Sequence, residues 1–395
     1  MRFPGFEGEW KCSKLSAYLY ENKERNRAGE FNKSDVLSVS GDCGIVNQIE
    51  LLGRSFAGKS VADYHIVRTG NIVYTKSPLK EYPYGIVKYN SGKDGIVSTL
   101  YAVYHHRENV NGRFVEHYFT SPQRTNKYFK PIVRIGAKHD MKIGNNEVLD
   151  NTVLFPGLKE QNRITELLDL LDQRIAIQNK VIEDLKKLKT ALNDKLHQQF
   201  GYGQAFSFSE IGDSYSGLSG KSSEDFGDGA PFVTYTNIYT NDIVDENDYG
   251  YVRINDKESQ NHVQYGDLLF TLSSETPDEV GVGSVYLGSS KELYLNSFSF
   301  GIHIKRTDVI FPPYLAHLVS SSQFRRFIYP FAQGSTRYNL QKHDFETTKY
   351  SFPIYENQIK ICSVLDSIAK KIAYENDSLL NWRKLKQCLL YQLFI

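Results

Sequence analysis

Cysteine is scarce in this chain: there are 4, at Cys12, Cys43, Cys362 and Cys388, and none forms a C-x-x-C pair. That excludes a disulfide framework and argues against a zinc site of the usual spacing, so the four read as reduced thiols. No apolar run approaches the roughly 18 residues of a membrane span. The opening MRFPGFEGEW lacks the charged and apolar regions of a signal peptide, which makes a cytoplasmic protein with no membrane role the expectation. A dominant charge is also missing. The formal net charge is +1, so any contact with nucleic acid has to rest on local patches. What the sequence has in plenty is aromatic: 27 Tyr and 23 Phe, residue types that favour strands and supply contact surfaces.

With only 12 prolines, their positions carry information. Phe155-Pro156 opens FPGLKEQNRITELLDLLDQRIAIQNKVIEDLKKLKTALNDKL, and Phe352-Pro353 opens FPIYENQIKICSVLDSIAKKIAYENDSLLNWRKLKQCLLYQL. One ungapped shift lays Gln161 on Gln358, Ile164 on Ile361, Leu168-Asp169 on Leu365-Asp366, Asn179 on Asn376 and Leu196 on Leu393. The chain therefore contains an internal repeat. Both copies predict long helices, apolar every three or four positions and free of Pro and Gly beyond the entry. One seam runs through Leu168, Leu171, Ile175, Gln178, Ile182 and Leu185; the other runs through Leu365, Ile368, Ile372, Glu375, Leu379 and Trp382. Alternating steps of three and four describe a coiled-coil seam, and the polar Gln178 and Glu375 are expected to face each other and fix its register. Separate amphipathic helices, each packed on its own domain, are the plainer alternative.

Each helix follows a segment rich in β-branched and aromatic residues. The predicted plan is residues 1–154 as a first domain, 155–200 as a first long helix, 201–351 as a second domain and 352–395 as a second long helix. The domains share a weaker repeat: YHIVRTGNIVYTKS resembles HVQYGDLLFTLSS, a glycine turn followed by an apolar strand and a polar loop. GAKHDMKI and GSTRYNLQ occupy matching places ahead of the two helix-opening prolines.

This ordered set resembles the specificity (S) subunit of type I restriction-modification systems, and the resemblance spans the whole chain. It rests on the doubled Pro-x-x-x-x-Gln-x-x-Ile helix entry, Pro156/Gln161/Ile164 and Pro353/Gln358/Ile361, together with the glycine-and-polar segments before it. The resemblance implies an α+β fold: two globular mixed α/β target-recognition domains separated by two long antiparallel coiled-coil helices in a pseudo-twofold internal repeat. It implies a non-catalytic subunit that reads a two-part double-stranded DNA target and directs methylation and restriction by other subunits. The implied partners are methyltransferase (M) subunits, two of them, docking near the proline entries, and restriction (R) subunits. S-adenosylmethionine, ATP and Mg would be held by those partners and no cofactor by this chain.

The residues support DNA contact by their own chemistry. Asn111 to Ile143 carries Arg113, Arg124, Lys127, Lys130, Arg134, Lys138 and Lys142 among Phe114, Tyr118, Phe119, Tyr128 and Phe129. In the second half Arg325, Arg326, Arg337 and Lys342 sit among Phe324, Phe327, Tyr329, Phe331 and Tyr338. Such cations neutralise phosphates, while loop polar groups reach base edges. The candidates are Lys76, Ser77, Arg124, Lys127, Lys138 and His139 in the first domain, and Ser273, Ser274, Arg325, Arg326, Thr336, Arg337 and Tyr338 in the second. The alternative is that these charges solvate ordinary helix and strand faces.

Two other readings compete. Gly53-Arg-Ser-Phe-Ala-Gly-Lys-Ser60 fits the G-x-x-x-x-G-K-[ST] phosphate loop and suggests a nucleotide-binding enzyme. A phosphate loop must lead into a helix, however, and VADYHIVRTG after Ser60 predicts a turn and strand. The other reading is a coiled-coil adaptor that does not bind DNA. Phe311-Pro-Pro-Tyr314 imitates a methyltransferase loop, but phenylalanine cannot hold an adenine amino group, and the prolines suit a helix entry. Asp184-Leu-Lys186 lies mid-helix, and His105-His106 and His139 lack partners at metal-ligand spacing, so no nuclease or metal centre is expected.

Overall fold

The computed structural model describes residues 2–135, 141–255 and 257–394. By its internal contacts the chain forms two units, Met1–Gln178 with Ser378–Ile395, and Asn179–Asp377. The first long helix thus starts in one unit and ends in the other, and the second does the reverse.

The first unit is built on a four-stranded antiparallel sheet in the order Leu19–Glu21, Tyr101–His106, Ile72–Thr75, Val87–Tyr89. Ile72–Thr75 is buried along its whole length, as a continuous β-branched and aromatic run requires. Two helices, Gly112–Phe119 and Pro122–Phe129, carry its apolar cover. Asn111 caps the first by accepting from the backbone N–H of Arg113 and Phe114, and a proline stands in the first turn of the second. Their rings are core: Phe114, Phe119, Tyr128 and Phe129 are all buried, and Phe129 stacks on Tyr74 at 4.5 Å. The aromatics interleaved with the basic residues from Asn111 to Ile143 therefore pack this domain and form no stacking surface.

The second unit repeats the plan. Its sheet runs Gly212–Ser216, Ser299–Ile304, Leu268–Thr271, Gly283–Val285, and its helices are Pro312–Val319 and Ser322–Ile328. Pro312 and Pro313 occupy the helix entry, and Tyr314 is fully buried, which disposes of the methyltransferase-loop likeness. In each unit a two-stranded ribbon precedes the long helix: Lys11–Lys14 with Thr152–Phe155, and Gln204–Phe206 with Tyr350–Phe352. The units differ in their additions. The second carries a three-stranded sheet of Tyr249–Val252, Phe226–Val233 and Tyr294–Leu295, where the first has, among the described residues, the ribbons Leu37–Ser40 with Gly44–Asn47 and His65–Val67 with Gly95–Val97.

The long helices are Leu158–Phe200 and Tyr355–Leu393, of 43 and 39 residues. At 1.5 Å per residue they are about 65 and 58 Å long. Every predicted seam position in both is buried or half-buried, whereas flanking positions such as Leu170, Ile177, Tyr374 and Leu385 are exposed. Within the first unit Asp172 pairs with Lys386 and the Arg174 guanidinium lies 5.6 Å from the Trp382 ring, so these helix segments run antiparallel. The fold is α+β, with the expected internal repeat.

The doubled helix entry has a physical cause. Gln161 and Gln358 are fully buried. Each donates from Nε2 to the carbonyl of its own proline, Pro156 at 2.9 Å and Pro353 at 2.8 Å. Each also accepts at Oε1 from the backbone N–H ahead of a domain helix, that of Asn111 at 2.9 Å and of Phe311 at 2.8 Å. One amide thus satisfies an orphan donor and fixes the angle at which the long helix leaves its domain. Two turns on, Asp169 accepts from His117 and Asp366 from His317, both at 2.8 Å.

Candidate nucleic-acid interface

Ahead of the second long helix the glycine-and-polar segment folds as a β-hairpin. In the second unit Ala332–Gly334 pairs with Tyr338–Leu340, which also pairs with Ser273–Ser274. Gly334 has φ +155°, and a Cβ there would lie 2.1 Å from the Arg337 carbonyl oxygen, so the tip closes only on glycine. Thr336 and Arg337 are exposed on that tip.

The tip and the adjoining strand end enclose an open groove lined by Tyr235, Ser273, Ser274, Glu275, Phe298, Thr336 and Arg337. Four predicted contacts, Ser273, Ser274, Thr336 and Arg337, are brought together there. Tyr338 is half-buried behind the tip, opposite Ser274 in the strand pairing. Arg337 Nε donates to Ser273 Oγ at 3.2 Å, Ser274 Oγ donates to Glu279 at 2.8 Å, and the Tyr235 hydroxyl donates to the Ser273 carbonyl at 2.9 Å. The sequence reading missed Tyr235, Glu275 and Phe298. They converge from three separate segments, and only the directly adjacent Ser274-Glu275 pair gave a local signal.

At the matching place in the first unit the strands Arg134–Ile135 and Met141–Lys142 pair antiparallel. Lys138 and His139 lie outside the described residues. Lys76 follows its strand as expected but donates to the Ile143 carbonyl at 2.9 Å and Asn145 Oδ1 at 2.6 Å, and burial pushes its ammonium pKa down. Ser77 beside it is half-buried.

The arginines of the two patches divide. Arg124 donates to the carbonyls of Leu390 at 2.7 Å and Phe394 at 2.9 Å, and its guanidinium lies 4.8 Å from the Phe394 ring. Arg325 donates to the carbonyls of Gly281, Asp278 and Val280. Burial lowers the pKa of both guanidiniums. Lys127 and Arg326 are exposed. The histidine partners of Asp169 and Asp366 were also missed, although the aspartates had been matched. Burial lowers the His317 pKa, against the opposing pull of Asp366.

Other clusters are accounted for. His117, Asp169 and Asp172 offer ligand atoms within 4.8 Å of one another. Asp169, however, holds Arg113 through Nε at 2.9 Å and the terminal nitrogen at 2.7 Å, and Asp172 holds Lys386. Protein cations already occupy the carboxylates. In GRSFAGKS the order of elements is the reverse of a phosphate loop: the short helix Gln48–Leu52 precedes Gly53, and a turn leading to the strand His65–Val67 follows Ser60. The loop leads into no helix, so it lacks the helix N-terminus that would bind phosphate. Asp184 and Lys186 are exposed on the first long helix. His105 Nδ1 is 3.1 Å from Asn71 Nδ2, and its ring stacks on Tyr20.

Residues 205–381 match the type I restriction modification DNA specificity domain. No curated protein matches the chain. Among solved structures, a chain from a study of complex assembly and conformational transition of the type I R-M system aligns with TM-score 0.60 at 16% identity, covering 98% of both chains. The type I restriction-modification S subunit from M. genitalium aligns with TM-score 0.51 at 12% identity, covering 100% of this chain and 99% of that one. At these identities the likeness is one of fold. No helix among the described residues is long and apolar enough to cross a membrane. The match over residues 205–381 and the fold shared along the whole chain thus both liken this chain to type I S subunits.

Proposed function

We propose that this chain is the DNA-reading subunit of a cytoplasmic type I restriction-modification complex, and that each unit reads one half of a two-part target. The observation that carries the reading is the groove of the second unit, where Ser273, Ser274, Thr336 and Arg337, chosen from sequence as base or phosphate contacts, line one open surface. Hydroxyls, a guanidinium and exposed aromatic edges are the groups that read bases in a groove. The strand pair Arg134–Ile135 and Met141–Lys142 at the matching place in the first unit supports a corresponding role for that unit.

Catalysis in this reading belongs to partners. Methyltransferase subunits dock on the long helices near their proline entries and carry S-adenosylmethionine, while restriction subunits bring ATP and Mg. The exposed apolar side chains Leu170, Ile177, Leu188, Tyr374 and Leu385 suit such docking, since lone helices do not keep them for stability. The long helices set the distance between half-sites, so the spacer is measured and not read. The test is methylome sequencing of cells that express the methyltransferase subunit with and without this chain. Methylation at a single two-part motif that appears only with the chain is the expected result; no chain-dependent methylation in verified complexes would overturn it.

A further inference from the structure

The groove of the second unit holds two charges that the fold leaves uncommitted. Glu275 is exposed on its wall and makes no hydrogen bond or ion pair among the described residues. Arg337, on the hairpin tip that lines the same groove, bonds through Nε to Ser273 Oγ at 3.2 Å and, among the described residues, forms no ion pair with Glu275. The hydroxyls between them have assigned directions. Ser273 Oγ accepts from Arg337 and keeps its O–H to donate, whereas Ser274 donates its O–H to Glu279 and keeps lone pairs to accept. Glu279 is held in turn by the Tyr239 hydroxyl at 2.7 Å.

A carboxylate on a surface that meets DNA is repelled by phosphate and is retained there only if it meets donors. The donors on the major-groove edge are the amino groups of cytosine and adenine. Adenine places its N7 acceptor beside the amino group, and an acceptor-only carboxylate opposes it; cytosine has no acceptor at that edge. The partner guanine of a cytosine offers two acceptors, O6 and N7, which match the free terminal nitrogens of Arg337. We infer that Glu275 and Arg337 read a G·C pair in the half-site of the second unit, with Glu275 accepting from cytosine N4 and Arg337 donating to guanine. Phe298, 61% exposed and anchored by the bond from the Leu272 N–H to its carbonyl, covers one side of that pair from water.

This inference rests on the DNA reading proposed above, and the test separates the two. The full-length chain, as wild type, Glu275→Gln and Glu275→Ala, is used to select from a randomised duplex library, and the enriched motifs are compared. Glu275 is exposed, so the variants should melt with the wild type. The expected result is a cytosine at one position of one half-site in the wild-type motif. Glu275→Ala makes that position degenerate, Glu275→Gln moves it toward adenine, and discrimination there falls roughly tenfold or more while the other half-site is unchanged. A wild-type motif that both variants reproduce unaltered overturns this assignment alone, as does an equal loss of affinity for all sequences. A wild-type chain that selects no motif overturns the DNA reading and this inference together.

Discussion

At the scale of single residues, burial decides which charged groups are free to act. His65 is 1% exposed and its Nδ1 makes no hydrogen bond among the described residues. Burial, with the positive charges of Arg25 and Lys76, pushes its pKa down to about 4 from the ordinary 6.5. The folded ring is therefore neutral where the unfolded one takes up a proton. The stability it contributes is intact above pH 6.5 and is lost as pH falls toward 4, a cost of about 3 kcal/mol. Denaturant midpoints measured across that window should drop in the wild type and drop less in His65→Gln. Arg124 illustrates the same selection. A basic residue amid aromatics reads as a phosphate contact, and nothing local says otherwise. Its bonds to the carbonyls of Leu390 and Phe394, distant in sequence, belong to tertiary structure.

At the scale of elements, those bonds make Arg124 the C-terminal cap of the second long helix, a place where orphan carbonyls and the helix dipole both favour a cation. Arg124→Ala should destabilise the first unit by about 1–3 kcal/mol in denaturant unfolding. The salt dependence of DNA binding should keep its slope, whereas removal of a phosphate contact would flatten it. The two units close on their helix ends with different chemistry. In the first, Phe394 packs against Phe114 at 5.4 Å and Tyr118 at 5.8 Å. In the second, the matching turn sets His197 Nε2 3.0 Å from the Tyr314 hydroxyl, and Asn193 donates to the His317 carbonyl at 2.9 Å. Repeated sequence thus gives repeated elements, but not interchangeable contacts.

At the scale of the whole molecule, the proposed ruler depends only on helix length. Inserting one helical turn in both long helices, about 5.4 Å, should lengthen the preferred spacer by roughly one or two base pairs. Mapping the methylated motif of that variant checks this; an unchanged spacer would count against the ruler.

By itself the sequence determined the doubling, the two long helices, their covered faces and the proline-and-glutamine entries. Those features are set by local periodicity and by residues whose roles depend on near neighbours. It also marked the glycine-and-polar segments at matching places, though that the second one closes as a hairpin on Gly334 came from the structure. Which cations remain free was decided only by the tertiary structure, since Lys76, Arg124 and Arg325 donate hydrogen bonds to carbonyls that no local pattern brings near. So was the groove, whose wall joins Tyr235, Glu275, Phe298 and Arg337 from four segments. A surface that reads another molecule is assembled across the chain, and its members need no common period in sequence.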